Sequence, residues 1–116
     1  MNIPEWHMRK LIVTFVLTCL LAACAKPLPP QKAAYAGYWR AHDMTLLITV
    51  GGNVEYTRDE GGKRTSINGP LQKFDGDNFT VGIGPLKTTF VVSAAPQQEQ
   101  GAWHMTVDGV DLKRDQ

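Results

Sequence analysis

From Met44 onward, apolar side chains recur at every second residue, and this period constrains the fold more than any other feature of the chain. Met44, Leu46, Ile48 and Val50 alternate with Thr45, Leu47 and Thr49, as in a strand with one face buried. The pattern resumes at Val54 and Tyr56 after Gly51-Gly52-Asn53, and at Thr65 and Ile67 after Asp59-Glu60-Gly61-Gly62. It returns at Phe79, Val81 and Ile83 after Asp75-Gly76-Asp77-Asn78, and at Phe90 and Val92 after Gly84-Pro85. All eleven glycines lie beyond residue 35, most of them at the breaks between these runs, where turns need backbone angles that other residues resist. No window after residue 24 repeats every 3.6 residues. The expectation is an all-β domain over 35–116 with about eight short strands, as a small antiparallel barrel or sandwich.

The last hairpin can be set in register. Asp108-Gly109 between alternating runs matches a two-residue type I′ turn, which needs positive φ at both central positions. Such a turn pairs Val107 with Val110, Met105 with Leu112, and Trp103 with Arg114. The last pair brings a guanidinium beside an indole, a cation-π contact of about 0.5–2 kcal/mol.

The other informative region is the N-terminus. Arg9 and Lys10 precede an apolar run, residues 11–21, followed by Ala22-Ala23-Cys24. A basic segment, an apolar segment and a small-residue cleavage site make a signal peptide, and the run falls short of the ~20 residues that span a bilayer. Met8 begins an equally good leader, so either Met1 or Met8 serves as the start. Leu21-Ala22-Ala23-Cys24 resembles the lipobox of bacterial lipoproteins. That resemblance implies that residues 1–23 are removed and that the sulfur of Cys24 carries a diacylglyceryl group, with the new amino terminus often acylated as well. Two or three acyl chains anchor a protein stably, at about 0.8 kcal/mol per buried methylene. In the family an Asp after the lipidated Cys retains the protein at the inner membrane of Gram-negative cells. Ala25 stands there instead, which implies the outer membrane, facing the periplasm, in such a host. Ala23-Cys24-Ala25 also satisfies an ordinary secretory site, which would release a chain beginning at Lys26.

Processing removes Arg9, Lys10 and Glu5 and leaves ten basic and ten acidic side chains. A neutral domain lacks the basic surplus that phosphate contacts require, so no nucleic acid is expected as a partner. Cys19 leaves with the leader and Cys24 is taken by lipid, so the domain relies on its core without a disulfide. Residues 24–34, with Pro27, Pro29 and Pro30, are expected to form a flexible tether, extended at about 3.1 Å per residue in polyproline II.

A second resemblance concerns the domain itself. Gly37-Tyr38-Trp39 at the first strand and Arg114 at the last resemble the calycins, which include lipocalins and several small bacterial inhibitor barrels. The resemblance implies that Trp39 closes the barrel floor with Arg114 packed over it. The chain is about half a lipocalin's length and lacks their other signatures, and an open Greek-key barrel or sandwich is the alternative. The chain also resembles, more loosely, small β-rich bacterial lipoproteins, from which no activity carries over.

No catalytic constellation is legible. His42, Asp43 and His104 are too few for a zinc site without a Cys, and neither Ser66 nor Ser93 sits in a nucleophile elbow. Asp75-Gly76-Asp77-Asn78 lacks the later ligands of a calcium loop and reads as a tight turn. Gly82-Ile83-Gly84-Pro85 is a strand end, with no helix following it to hold phosphate. Lys63-Arg64 and Lys113-Arg114 read as solvated pairs. An interior holding Trp39, Tyr56, Phe79, Phe90 and Trp103 leaves little room for a ligand. The expected protein is non-enzymatic and binds no cofactor or metal. It meets the membrane through lipid on Cys24, and its β-domain binds or supports an envelope protein or polymer. The alternatives are an inhibitor of a hydrolase, inserting Asp59–Lys63 or the tether into a cleft, and a carrier of a small hydrophobic ligand.

Overall fold

A computed structural model describes residues 25–116. A 3₁₀ helix, Pro30–Tyr35, precedes nine strands: β1 (Gly37–Arg40), β2 (Met44–Ile48), β3 (Asn53–Glu60), β4 (Lys63–Asp75), β5 (Asn78–Ile83), β6 (Leu86–Phe90), β7 (Val92–Glu99), β8 (Ala102–Val107) and β9 (Val110–Arg114). They form one sheet in the order β6-β5-β4-β3-β2-β1-β9-β8-β7, antiparallel at every pairing. The two ends of the strand series meet in mid-sheet, where β1 pairs with β9. The two sheet edges, β6 and β7, are consecutive in the chain.

The result is a curled half-barrel. The all-β expectation holds, but the ladder is interrupted between β6 and β7, so the barrel is not closed in the calycin manner. The ninth strand arises at the same place. Phe90 and Val92 are both buried, so the alternation runs through Val91 unbroken. Their partners differ, however: Phe90 pairs with Phe79 of β5 and Val92 with Val107 of β8. One run by period is thus two strands by pairing.

Alternation places Met44, Leu46 and Ile48 of β2, Val54 and Tyr56 of β3, and Phe79 and Val81 of β5 in one core with Trp39, Phe90, Met105 and Leu112. Phe79 stacks on Phe90 with centroids 5.1 Å apart, and Tyr56 meets Phe90 edge-on at 4.9 Å. Such aromatic pairs add about 0.5–1.5 kcal/mol beyond their buried area. β4 is long enough to change partners, from β3 as far as Pro70 to β5 from Leu71 onward, with a register shift between Leu71 and Lys73. β7 carries Pro96 and two register shifts, features suited to an edge strand because they blunt its pairing potential.

The hairpin at Asp108-Gly109 has the expected register at Val107–Val110 and Met105–Leu112. Its central residues have φ of 48° and 80°.

Residues 26–35 depart from the expected tether, because they are docked on the domain. Leu28 N donates to Val50 O at 3.0 Å, and Leu28 packs against the core. The carbonyl of Lys26 lies so close to Gly52 that a Cβ there would sit 1.9 Å from its oxygen. The 3₁₀ helix then delivers Tyr35, which is buried, onto Phe74 and Phe79 at centroid distances of 5.0 and 6.2 Å. Prolines stiffen this segment whether it is free or bound, and Leu28 and Tyr35 supply the burial that holds it down.

Candidate functional site

Cys24 lies outside the described residues; the segment that follows it is pinned within two residues, at Lys26. The other three residues singled out from the sequence come together. Trp39 on β1 is fully buried, and its indole Nε1 donates to Tyr35 O at 2.9 Å. Arg114 on β9 stands opposite Trp39 in the ladder. Its guanidinium lies 5.7 Å from the Trp39 ring and 4.8 Å from the Trp103 ring, and Nη1 donates to Ala36 O at 3.4 Å. One cation thereby ties together the docked segment, β1 and β8. Gly37 permits this, since its Cα is covered by the Arg114 side chain.

Beside this cluster opens a groove of about 550 Å³ lined by Arg40, Ala41, His42, Lys113, Arg114, Asp115 and Gln116. Its charge is mainly basic. Arg40 is paired with Asp115 at 3.2 Å and lies over the Tyr38 ring at 4.8 Å. Arg114 is held by the two indoles, which leaves Lys113, exposed on β9, to face solvent. The groove is an open surface with cationic walls.

The polar residues weighed for catalysis are dispersed. His42 Nδ1 meets Asp43 Oδ1 at 2.7 Å, and the imidazole is 95% exposed, outside any enclosed site. Ser66 is opposite Thr57 on the β3–β4 ribbon, Ser93 is on β7, and His104 pairs with Gln97 and Lys113. Among the described residues no three or more His, Cys, Asp or Glu side chains are grouped to hold a metal ion. No helix among them is long and apolar enough to cross a membrane.

Asp75-Gly76-Asp77-Asn78 is a turn with a structural task that its sequence did not reveal. Lys32 Nζ donates to Gly76 O at 2.8 Å, and Tyr35 Oη donates to Asp77 O at 2.9 Å. Lys32 also lies 5.2 Å from the Phe74 centroid. Asn78 Oδ1 accepts from Val92 N at 2.8 Å, bridging β5 and β7 where the ladder fails. Burial, with the Asp77 carboxylate adding to it, pushes the Tyr35 phenol up to about 12. Burial also raises Tyr56, partly offset by the neighbouring Arg58. The available signal was Tyr35 just ahead of Gly37-Tyr38-Trp39; its hydrogen-bond partner Asp77, 42 residues away, was not legible.

No family model, curated protein or solved structure matches the chain.

Proposed function

We propose that this chain is a bacterial lipoprotein held at a membrane by acyl chains on Cys24, with a non-enzymatic β-domain that binds or supports an envelope partner through its surface. The observation that carries the reading is the packing of the interior. Trp39, Phe79, Phe90, Met44 and Met105 fill the space between the curled strands, and the grooves found among the described residues, such as that beside Arg114, are open to the surface. A filled half-barrel offers positioned faces, and that argues against a carrier. The inhibitor alternative loses one of its inserting segments, because the residues after Cys24 are occupied in packing against Gly52 and Val50.

Intact mass spectrometry of the chain extracted from membranes tests both halves. The expected denatured mass corresponds to residues 24–116 plus acyl groups, with no small molecule gained under native conditions. A mature chain beginning at Lys26 without lipid overturns the anchor, and a ligand released on denaturation overturns the filled interior. Outer-membrane placement follows from Ala25 within the same reading, and fractionation of a Gram-negative host checks it against an Ala25→Asp variant.

A further inference from the structure

We infer that the β5–β6 hairpin tip, together with Val50, is a second contact with the lipid surface, so that the domain lies against the bilayer instead of standing off on a spacer. This rests on the reading of Cys24 as lipid-bearing. Ile83 and Leu86 are directly opposed across Gly84-Pro85 and are 71% and 82% exposed, and Val50 is 71% exposed. Ile83 continues the inward series Phe79, Val81 one step past the end of the core. Its side chain and that of Leu86 therefore keep apolar character without cover from the described residues.

The exposed positions lie near the point where the chain enters the fold. Lys26 O abuts Gly52; Gly52 O accepts from Leu71 N at 2.8 Å; and Gln72 Nε2 donates to Gly82 O at 2.7 Å, next to Ile83. From the start of β3 across β4 to β5 is two strand spacings, about 10 Å. Val50 is nearer still, bonded through its carbonyl to Leu28. Two residues of chain reach at most about 7 Å, so acyl chains on Cys24 enter the bilayer close beside Lys26.

The occupant is lipid because the patch is small and its edges are basic. Three side chains fall far short of the roughly 1,200 Å² of a stable protein interface, whereas shallow insertion at a membrane boundary has no such minimum. Lys87 beside Leu86 and Lys26 near Val50 are exposed, as suits anionic headgroups.

The test uses the processed full chain in vesicles of phosphatidylethanolamine and phosphatidylglycerol. With the Cys24 sulfur in a thioether, an introduced cysteine is the sole thiol. An environment-sensitive maleimide dye is attached at Leu86→Cys, at Ile83→Cys, and at Thr65→Cys as the remote control. Thr65 is exposed on β4, five residues before Pro70, which pairs with Asn53. Quenching by lipid-borne nitroxide is expected to be about fivefold greater at 83 and 86 than at 65, as for side chains ~5–10 Å into the boundary. Equal quenching on an acylated chain overturns the second contact alone. Shielding in native membranes that is absent from pure lipid assigns the tip to a protein and also overturns it. Dye on the unsubstituted chain, showing a free Cys24 thiol, removes the anchor reading and this inference with it.

Discussion

The side chain of Arg114 lies across the Cα of Gly37, where a Cβ would stand 2.5 Å from Cδ and 3.0 Å from Cγ. Gly37 also has φ of +143°, outside the range of ordinary side chains. Gly37→Ala is therefore expected to cost about 1–3 kcal/mol. Arg114→Ala is expected to cost about 1–2 kcal/mol through loss of its cation-π contacts and packing. The double variant is less destabilised than the sum, because removing Arg114 relieves the contact while the φ strain persists. A urea-denaturation double-mutant cycle measures the coupling, and strict additivity contradicts the packing described.

Gly52→Ala isolates the docking of the N-terminal segment. The new methyl would meet the Lys26 carbonyl at 1.9 Å, on a residue with φ of +91°. Relief comes most cheaply by lifting residues 26–29 away. The amide of Leu28, now donating to Val50 O, is expected to lose at least ten-fold in hydrogen-exchange protection, the equivalent of about 1.4 kcal/mol. Amides of β8 and β9 keep theirs, apart from any global loss of stability. Unchanged protection at Leu28 would mean that Gly52 is not what accommodates the segment.

The contrast between what was legible and what was not follows the range of the interactions. Period-two alternation and glycine breaks are local, and they located the strands; Asp108-Gly109 is local too, and it set the register that leads Trp103 toward Arg114. The break at Val91 was hidden because Phe90 and Val92 both face inward, and alternation records the face a residue takes without recording its partner strand. Docking of residues 26–35 was hidden because a proline-rich segment has the same composition free or bound, and its partners are Val50, Gly76 and Asp77. The Trp39–Arg114 contact depends on pairing between the first and last strands. No local pattern encodes that pairing, and only the resemblance of Gly37-Tyr38-Trp39 and Arg114 to the calycins implies it.

Tyr35 gives the fold an alkaline limit. Its folded-state value, pushed up to about 12 from an ordinary 10.0, means that the native state holds this proton more tightly than the unfolded chain does. The contribution is complete below pH 10 and is lost as pH rises through 12. Tyr35→Phe is expected to cost about 1 kcal/mol at neutral pH, for the bond to Asp77 O, and to flatten the decline of stability between pH 10 and 12. Tyr56, also raised by burial, retains its own part of that decline. Denaturation midpoints across this range, with phenolate absorbance, test the assignment; a variant with an unaltered alkaline slope would contradict it.

Asn78 tests how the half-barrel holds its open seam. The strands on either side of the seam follow one another in the chain, and Val91 joins them. Its backbone is satisfied by Asp108, whose Oδ1 accepts from Val91 N at 2.9 Å and whose amide donates to Val91 O at 2.8 Å. One residue on, Val92 N donates across the seam to Asn78 Oδ1 at 2.8 Å. Here a side-chain carbonyl takes the place that a neighbouring strand's backbone would fill in a closed barrel. Asn78→Ala leaves that amide without a partner beside the buried Val92 and is expected to cost about 1–3 kcal/mol. Asn78→Asp keeps an acceptor at the same place and is expected to recover most of the loss. The exchange rate of the Val92 amide reports the effect directly: fast in Asn78→Ala and slow in Asn78→Asp if the side chain clasps the seam. Equal protection in both variants would show that packing of Phe79, Phe90 and Val92 closes the seam without it.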